Sequence, residues 1–119
     1  MERNAIAMQQ VSELHNQAMD LAGQAASARM HGDYASFQKF TAEAFAKESM
    51  AAWLLEKRTE LEPTRSVLFR SAATIALEAG ETREAERLIS AALVGNPPYE
   101  IAKELRSLLE NVNFARNKK

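Results

Sequence analysis

The chain contains no cysteine. A disulfide framework and a thiolate-bound metal are therefore both excluded, and a reducing compartment suits the sequence. Glycine and proline are scarce, at four and three in 119 residues. Four scattered glycines cannot build a phosphate-cradling loop, and so few breakers leave room for long uninterrupted elements. Neither sign of charge dominates, because fifteen Lys and Arg face sixteen Asp and Glu for a formal net charge of −1. The basic excess typical of nucleic-acid binders is missing, so bulk charge argues against a nucleic-acid partner. No apolar run approaches the roughly eighteen residues of a spanning helix. The opening MERNAIAMQQ also lacks the basic region and apolar run of a secretory leader. The expectation is a cytoplasmic protein with no membrane association.

What remains is dominated by Ala, Leu, Glu, Gln, Lys, Arg and Met, a composition that favours an all-α fold. The chain is long enough for one domain with a core of its own. We place that domain at residues 1–113, followed by a short, frayed basic tail at 114–119 with Arg116, Lys118 and Lys119.

Helical periodicity divides the chain into five segments. Val11, Leu14, Ala18, Leu21, Ala25 and Ala28 alternate spacings of three and four, the seam of a helix packed along a near-parallel partner. With no proline between residues 3 and 30, one helix of about 28 residues is expected there, roughly 42 Å long. His31-Gly32-Asp33 breaks it, since Gly32 can adopt the left-handed conformation and Asp33 can cap the next helix. That second helix is expected to be of similar length, from Tyr34 to Leu61, with an apolar face of Phe37, Phe40, Ala44, Phe45, Ala51, Ala52, Leu54 and Leu55. Two long helices joined by so short a turn must fold back as an antiparallel hairpin.

Glu62-Pro63 opens the next unit, PTRSVLFRSAATIALEAGETREAERLISAALVGNPP. A third helix is expected over 63–79 with Val67, Leu68, Ala72, Ile75, Ala76 and Ala79 on one face, stopped by Gly80. A fourth is expected over 82–94, capped by Thr82, with Ala85, Leu88, Ile89, Ala92 and Leu93 inward. Gly95-Asn96-Pro97-Pro98 ends it. A last helix over 98–112 carries Ile101, Leu105, Leu108, Leu109 and Val112 on a single stripe, as a terminal capping helix should.

The third and fourth segments resemble a tetratricopeptide repeat. Phe69 falls where that family has a large residue early in its first helix, and Ala72 and Ala73 where it has a small pair. Gly80-Glu81 matches its turn, Ala85 and Ala92 its small second-helix residues, and Pro97 its closing proline. Ala76 and Thr82 depart from the pattern, standing where large or aromatic residues are usual. The first two segments look like a more degenerate copy, with Gly32-Asp33-Tyr34 at the turn and Ala44 after it, but Phe37 in place of a small residue. Gly32 and Gly80 lie 48 residues apart, against about 34 in a standard array. The segment from Leu21 to Glu48 also resembles the small three-helix domains that bind microtubule-transport partners. The tetratricopeptide resemblance implies two stacked hairpins, the first elongated, plus a capping helix. It further implies a non-catalytic protein–protein interaction scaffold with a groove lined by Phe69, Arg70 and Thr74.

Catalytic chemistry is hard to find. His15 has no carboxylate three or four residues away, and no Glu-x-x-His pair occurs, so neither a metal pair nor a di-iron pattern is present. His31 suits a helix-terminal hydrogen bond better than catalysis. No serine lies in a nucleophile elbow. Neither an enzyme, a cofactor nor a bound metal is expected, and the partner is a protein whose identity the sequence does not specify.

Two surfaces stand out. If the first hairpin overhangs the second, Ile6, Met8 and Val11 lie on one projecting arm and Met50, Trp53 and Leu54 on the other. Apolar surface of that kind marks interfaces. It predicts a homodimer through Met50, Trp53 and Leu54, the alternative being that the last helix or the arms themselves cover it. The competing function is a small helical regulator of nucleic acid using Arg58, Arg65, Arg70 and the basic tail, although Glu56, Glu60 and Glu62 interleave with those arginines.

Overall fold

The computed structural model describes the backbone of residues 2–117, with side chains at position 5 and from 7 to 117. It is all-α, with five helices: α1 (Glu2–Met30), α2 (Tyr34–Leu54), α3 (Thr64–Glu78), α4 (Thr82–Val94) and α5 (Tyr99–Asn117). A 3-10 turn at Thr59–Leu61 and a cis Glu62-Pro63 bond join α2 to α3.

The turn chemistry is legible in the backbone. Gly32 and Gly80 take φ of 75° and 78°, the left-handed region where a side chain would be strained. Each closes the preceding helix with the same double bond pattern. Asp33 N–H donates to Ala28 O and Gly32 N–H to Arg29 O, while Glu81 N–H donates to Ala76 O and Gly80 N–H to Leu77 O. Asp33 Oδ1 then accepts from Ser36 N–H at 3.1 Å and caps α2. Two other caps differ from expectation. α3 begins after Pro63, its first turn capped by Glu62, which accepts from both the N–H and the hydroxyl of Ser66. α4 begins after Glu81, and Thr82 is its first residue rather than its cap.

α1 and α2 run antiparallel along each other: Arg29 sits 5.1 Å over the Phe37 ring beside the turn, and His15 meets Glu48 midway. They are unequal, at 29 and 21 residues. The expected continuation of α2 to Leu61 does not occur. The chain turns after Leu54 because Leu55 is drawn fully into the core and α3 must start alongside. α5 departs in the other direction. It runs to Asn117 instead of ending at 112, and Arg116 pairs from it with Glu86 of α4, so the tail as far as 117 is helical. Lys118 and Lys119 lie outside the described residues.

The main core gathers Val11 of α1, Ala51, Ala52 and Leu55 of α2 and its end, Leu68, Phe69 and Ala72 of α3, Ala85, Leu88 and Ile89 of α4, and Leu105 and Val112 of α5. α2 packs against α3, α3 against α4, and α5 against both α3 and α4. Toward the Gly32 turn, burial passes to Ala18, Ala25, Thr41 and Ala44. The expected overhang is therefore not formed by the described residues. Val11, Ala51, Ala52 and Leu55 are core, and Trp53 stacks edge-on against Phe69 of α3 at 5.1 Å and 81°. The side chain of Ile6 lies outside the described residues.

Candidate interaction groove

Three polar side chains sit on inward stripes and fix how the helices meet. On α3, Arg65 lies four residues before Phe69 and is 2% exposed. Its Nε donates to Glu56 O at 2.9 Å and its Nη2 to Ala91 O at 2.8 Å, joining the turn after α2 to the end of α4. The guanidinium lies 5.1 Å over the Phe69 ring, and Nη1 stands 3.6 Å from Glu62 Oε2. Nη1 makes no hydrogen bond among the described residues. It passes directly beneath Gly95, where an added Cβ would fall 3.0 Å from Cζ and closer still to Nη1. On α2, Glu48 is fully buried and accepts at 3.0 Å through both oxygens from Nδ1 of His15, which is itself half-exposed on α1. A buried carboxylate is tolerated only with such a partner.

Above Arg65 opens a groove of about 920 Å³. Trp53, Glu56, Lys57 and Thr59 line it from the end of α2 and the turn beyond. Arg83, Glu86, Arg87, Ser90, Ala91 and Val94 line it from α4, and Arg116 from α5. Arg65 and Gly95 form part of its wall. Five of the lining residues are basic and two acidic, on a chain whose net charge is −1. Arg116 is paired with Glu86, and Arg87 stands 3.6 Å from Glu84. Lys57 and Arg83 have no ion pair among the described residues. The apolar part comes from Trp53, Ala91 and Val94, the last 86% exposed. A smaller hollow of about 240 Å³ lies between α1 and the start of α3, lined by Met8, Val11, Val67, Leu68 and His15 among others.

The residues singled out in the sequence are dispersed. Phe69 is 0% exposed and cannot line a groove, because it lies on the inward stripe of α3 with Ala72, Ala73 and Ala76. Arg70 pairs with Glu104 of α5 at 3.1 Å, and exposed Thr74 turns its hydroxyl to Arg70 O. Met50 and Leu54 are 55% and 43% exposed, one helical turn apart, whereas Trp53 belongs half to the core and half to the groove. Of the arginines assigned to nucleic acid, Arg58 donates to Glu60 at 2.8 Å, Arg65 is buried and Arg70 is paired. The Arg58 bond holds the Glu60 carboxyl below its ordinary range, and the Ser36 bonds do the same for Asp33. His31 Nδ1 bonds Ser27 O at 2.8 Å, a helix-terminal contact.

Sequence reasoning missed the groove because its lining comes from α4, the second helix of its hairpin, and from a turn expected to be helix. Arg65, Glu48 and His15 were within reach of it. Each occupies an inward position of its own apolar stripe: 65, 69, 72, 76 on α3, 41, 44, 48, 51, 55 on α2, and 11, 15, 18, 25 on α1. Among the described residues no group of three or more His, Cys, Asp or Glu is placed to hold a metal ion. No described helix is long and apolar enough to cross a membrane. No family model, curated protein or solved structure matches the chain.

Proposed function

We propose that this chain is a non-catalytic helical interaction module with a tetratricopeptide-like arrangement, and that it holds a protein segment in the groove above Arg65. The observation that carries this reading is the groove itself. It is open, it joins an apolar strip of Trp53, Ala91 and Val94 to cations that no intramolecular pair among the described residues neutralises, and its lining holds no histidine or cysteine. Such a surface can grip, but it offers no nucleophile paired with a base. Its exposed cations without an ion pair among the described residues, Lys57 and Arg83, belong to the turn after α2 and to α4, so the module differs from its resemblance in which helices do the recognising.

The test is a peptide-library selection against the wild-type chain and against Val94→Glu, a substitution at an exposed site. Segments that bind wild type and are lost with Val94→Glu are expected. A library yielding no segments, or segments indifferent to Val94→Glu, would defeat the reading.

Self-association is a second reading, favoured by the exposed apolar pair Met50 and Leu54 on α2. Light scattering should then give a dimer for wild type and a monomer for Met50→Glu with Leu54→Glu. A wild-type monomer at tens of micromolar would end it.

A further inference from the structure

We infer that the segment held in this groove is acidic and carries an apolar anchor side chain. The inference rests on the interaction reading above and adds the chemistry of the partner. Its first ground is charge. Lys57 and Arg83 both line the groove, on the turn after α2 and on the first turn of α4, with no ion pair among the described residues. At the Lys57 end, bonded to Glu56 O and Ala91 O, Arg65 places a buried guanidinium in the wall, its Nη1 unbonded and only loosely matched by Glu62 at 3.6 Å. That nitrogen lies under Gly95, so it acts on a ligand through its field, strengthened by burial, while Lys57 and Arg83 are free to make contact. A carboxylate-bearing chain meets this potential with the complementary sign.

The second ground is the apolar strip. Val94 is almost wholly exposed beside half-buried Trp53, an arrangement that leaves an aliphatic or aromatic side chain somewhere to dock. A third ground separates a peptide from a nucleic acid. Glu56 and Glu86 are interleaved with the cations of the lining. They would repel closely spaced phosphodiesters, yet they can accept hydrogen bonds from the backbone N–H groups of a peptide. The groove is therefore built for alternating chemistry, carboxylates and amides along one strand.

The experiment monitors the emission of Trp53, the chain's one tryptophan. Two synthetic peptides are titrated into the full chain: one rich in Glu and Asp with a single Leu, the other identical but with Gln and Asn at every acidic position. A single-stranded oligonucleotide of the same length is the third probe. The acidic peptide is expected to bind most tightly and to weaken as salt rises toward 1 M, where the screening length is about 3 Å. Lys57→Glu and Arg83→Glu, both at exposed positions, should each weaken it about threefold to tenfold, with unchanged circular dichroism. The inference is overturned if the amide peptide binds as tightly, if the charge reversals change nothing, or if the oligonucleotide binds more tightly through the same two cations. In the first of these cases the groove still holds a segment and the broader reading survives. That reading falls on a different result, an empty library selection.

Discussion

Replacing Gly95 with alanine tests the junction beneath the groove. In an unconstrained loop with negative φ, such as the −78° here, the change stiffens the unfolded chain and stabilises by about 0.4–1 kcal/mol. At this position the new Cβ collides with a guanidinium that cannot swing aside freely, since Nε is held by Glu56 O at 2.9 Å and Nη2 by Ala91 O at 2.8 Å. Making room means giving up at least one of these bonds, and a hydrogen bond to a charged group contributes about 1.5–3 kcal/mol. The loss outweighs the gain, so Gly95→Ala should destabilise by about 1–2 kcal/mol. Urea unfolding at constant m-value measures it directly. The decisive comparison is made in an Arg65→Met background, where the guanidinium is absent. There the same glycine substitution should be neutral or slightly stabilising, which gives a coupling of about 2 kcal/mol between the two sites. Stabilisation in the wild-type background, or an equal cost in both, would refute the steric argument.

The interior and the caps supply three further expected outcomes. His15→Ala strands the Glu48 carboxylate in the core and should cost about 3 kcal/mol in urea unfolding, whereas His15→Leu combined with Glu48→Leu should restore most of the loss. Phe69→Ala removes the ring that Trp53 and Arg65 both pack on, and should cost about 3–5 kcal/mol with a shift in Trp53 emission. Asp33 is held below its ordinary range by the Ser36 bonds, so its contribution is present above that range and is lost as pH falls through the lowered value. Melting curves of Asp33→Ala should therefore lie below wild type at neutral pH and converge with it in acid.

The elements that the sequence announced were those governed by local rules. The ends of α1, α3 and α4 are set by Gly32, Gly80 and Gly95, and these signals need no tertiary knowledge. The end of α2 was hidden because its apolar periodicity continues through Leu54 and Leu55, and no glycine or proline appears until Pro63. What stops the helix is a long-range demand, the docking of Leu55 beside α3 and α4. α5 outran its apolar stripe for a similar reason, since the Arg116–Glu86 pair to α4 sits beyond Val112. The groove escaped notice because charge was weighed over the whole chain and over neighbours in sequence. Folding pairs Arg58 and Arg70 with carboxylates, buries Arg65, and leaves Lys57 and Arg83, residues of no special local pattern, facing one hollow.

The distribution of buried side chains also gives the molecule a gradient along its length. Near the end of α2 the interior is made by Leu55, Phe69, Leu88, Ile89 and Leu105, while toward Gly32 the buried positions are mostly small, Ala18, Ala25, Ala44 and Thr41, with Ile75 of α3 beside them. An alanine methyl brings only about 0.8 kcal/mol of burial, so separating α1 from α2 at the turn, half-buried Phe37 included, exposes less apolar area than opening the other end. Backbone amides around Gly32 are therefore expected to exchange with solvent through brief local opening, faster than those in the middle of α3 and α4. The end of the groove formed by Arg65, Trp53 and Ala91 packs on the Leu55 and Phe69 interior, which holds it in place whether or not the first turn is momentarily open.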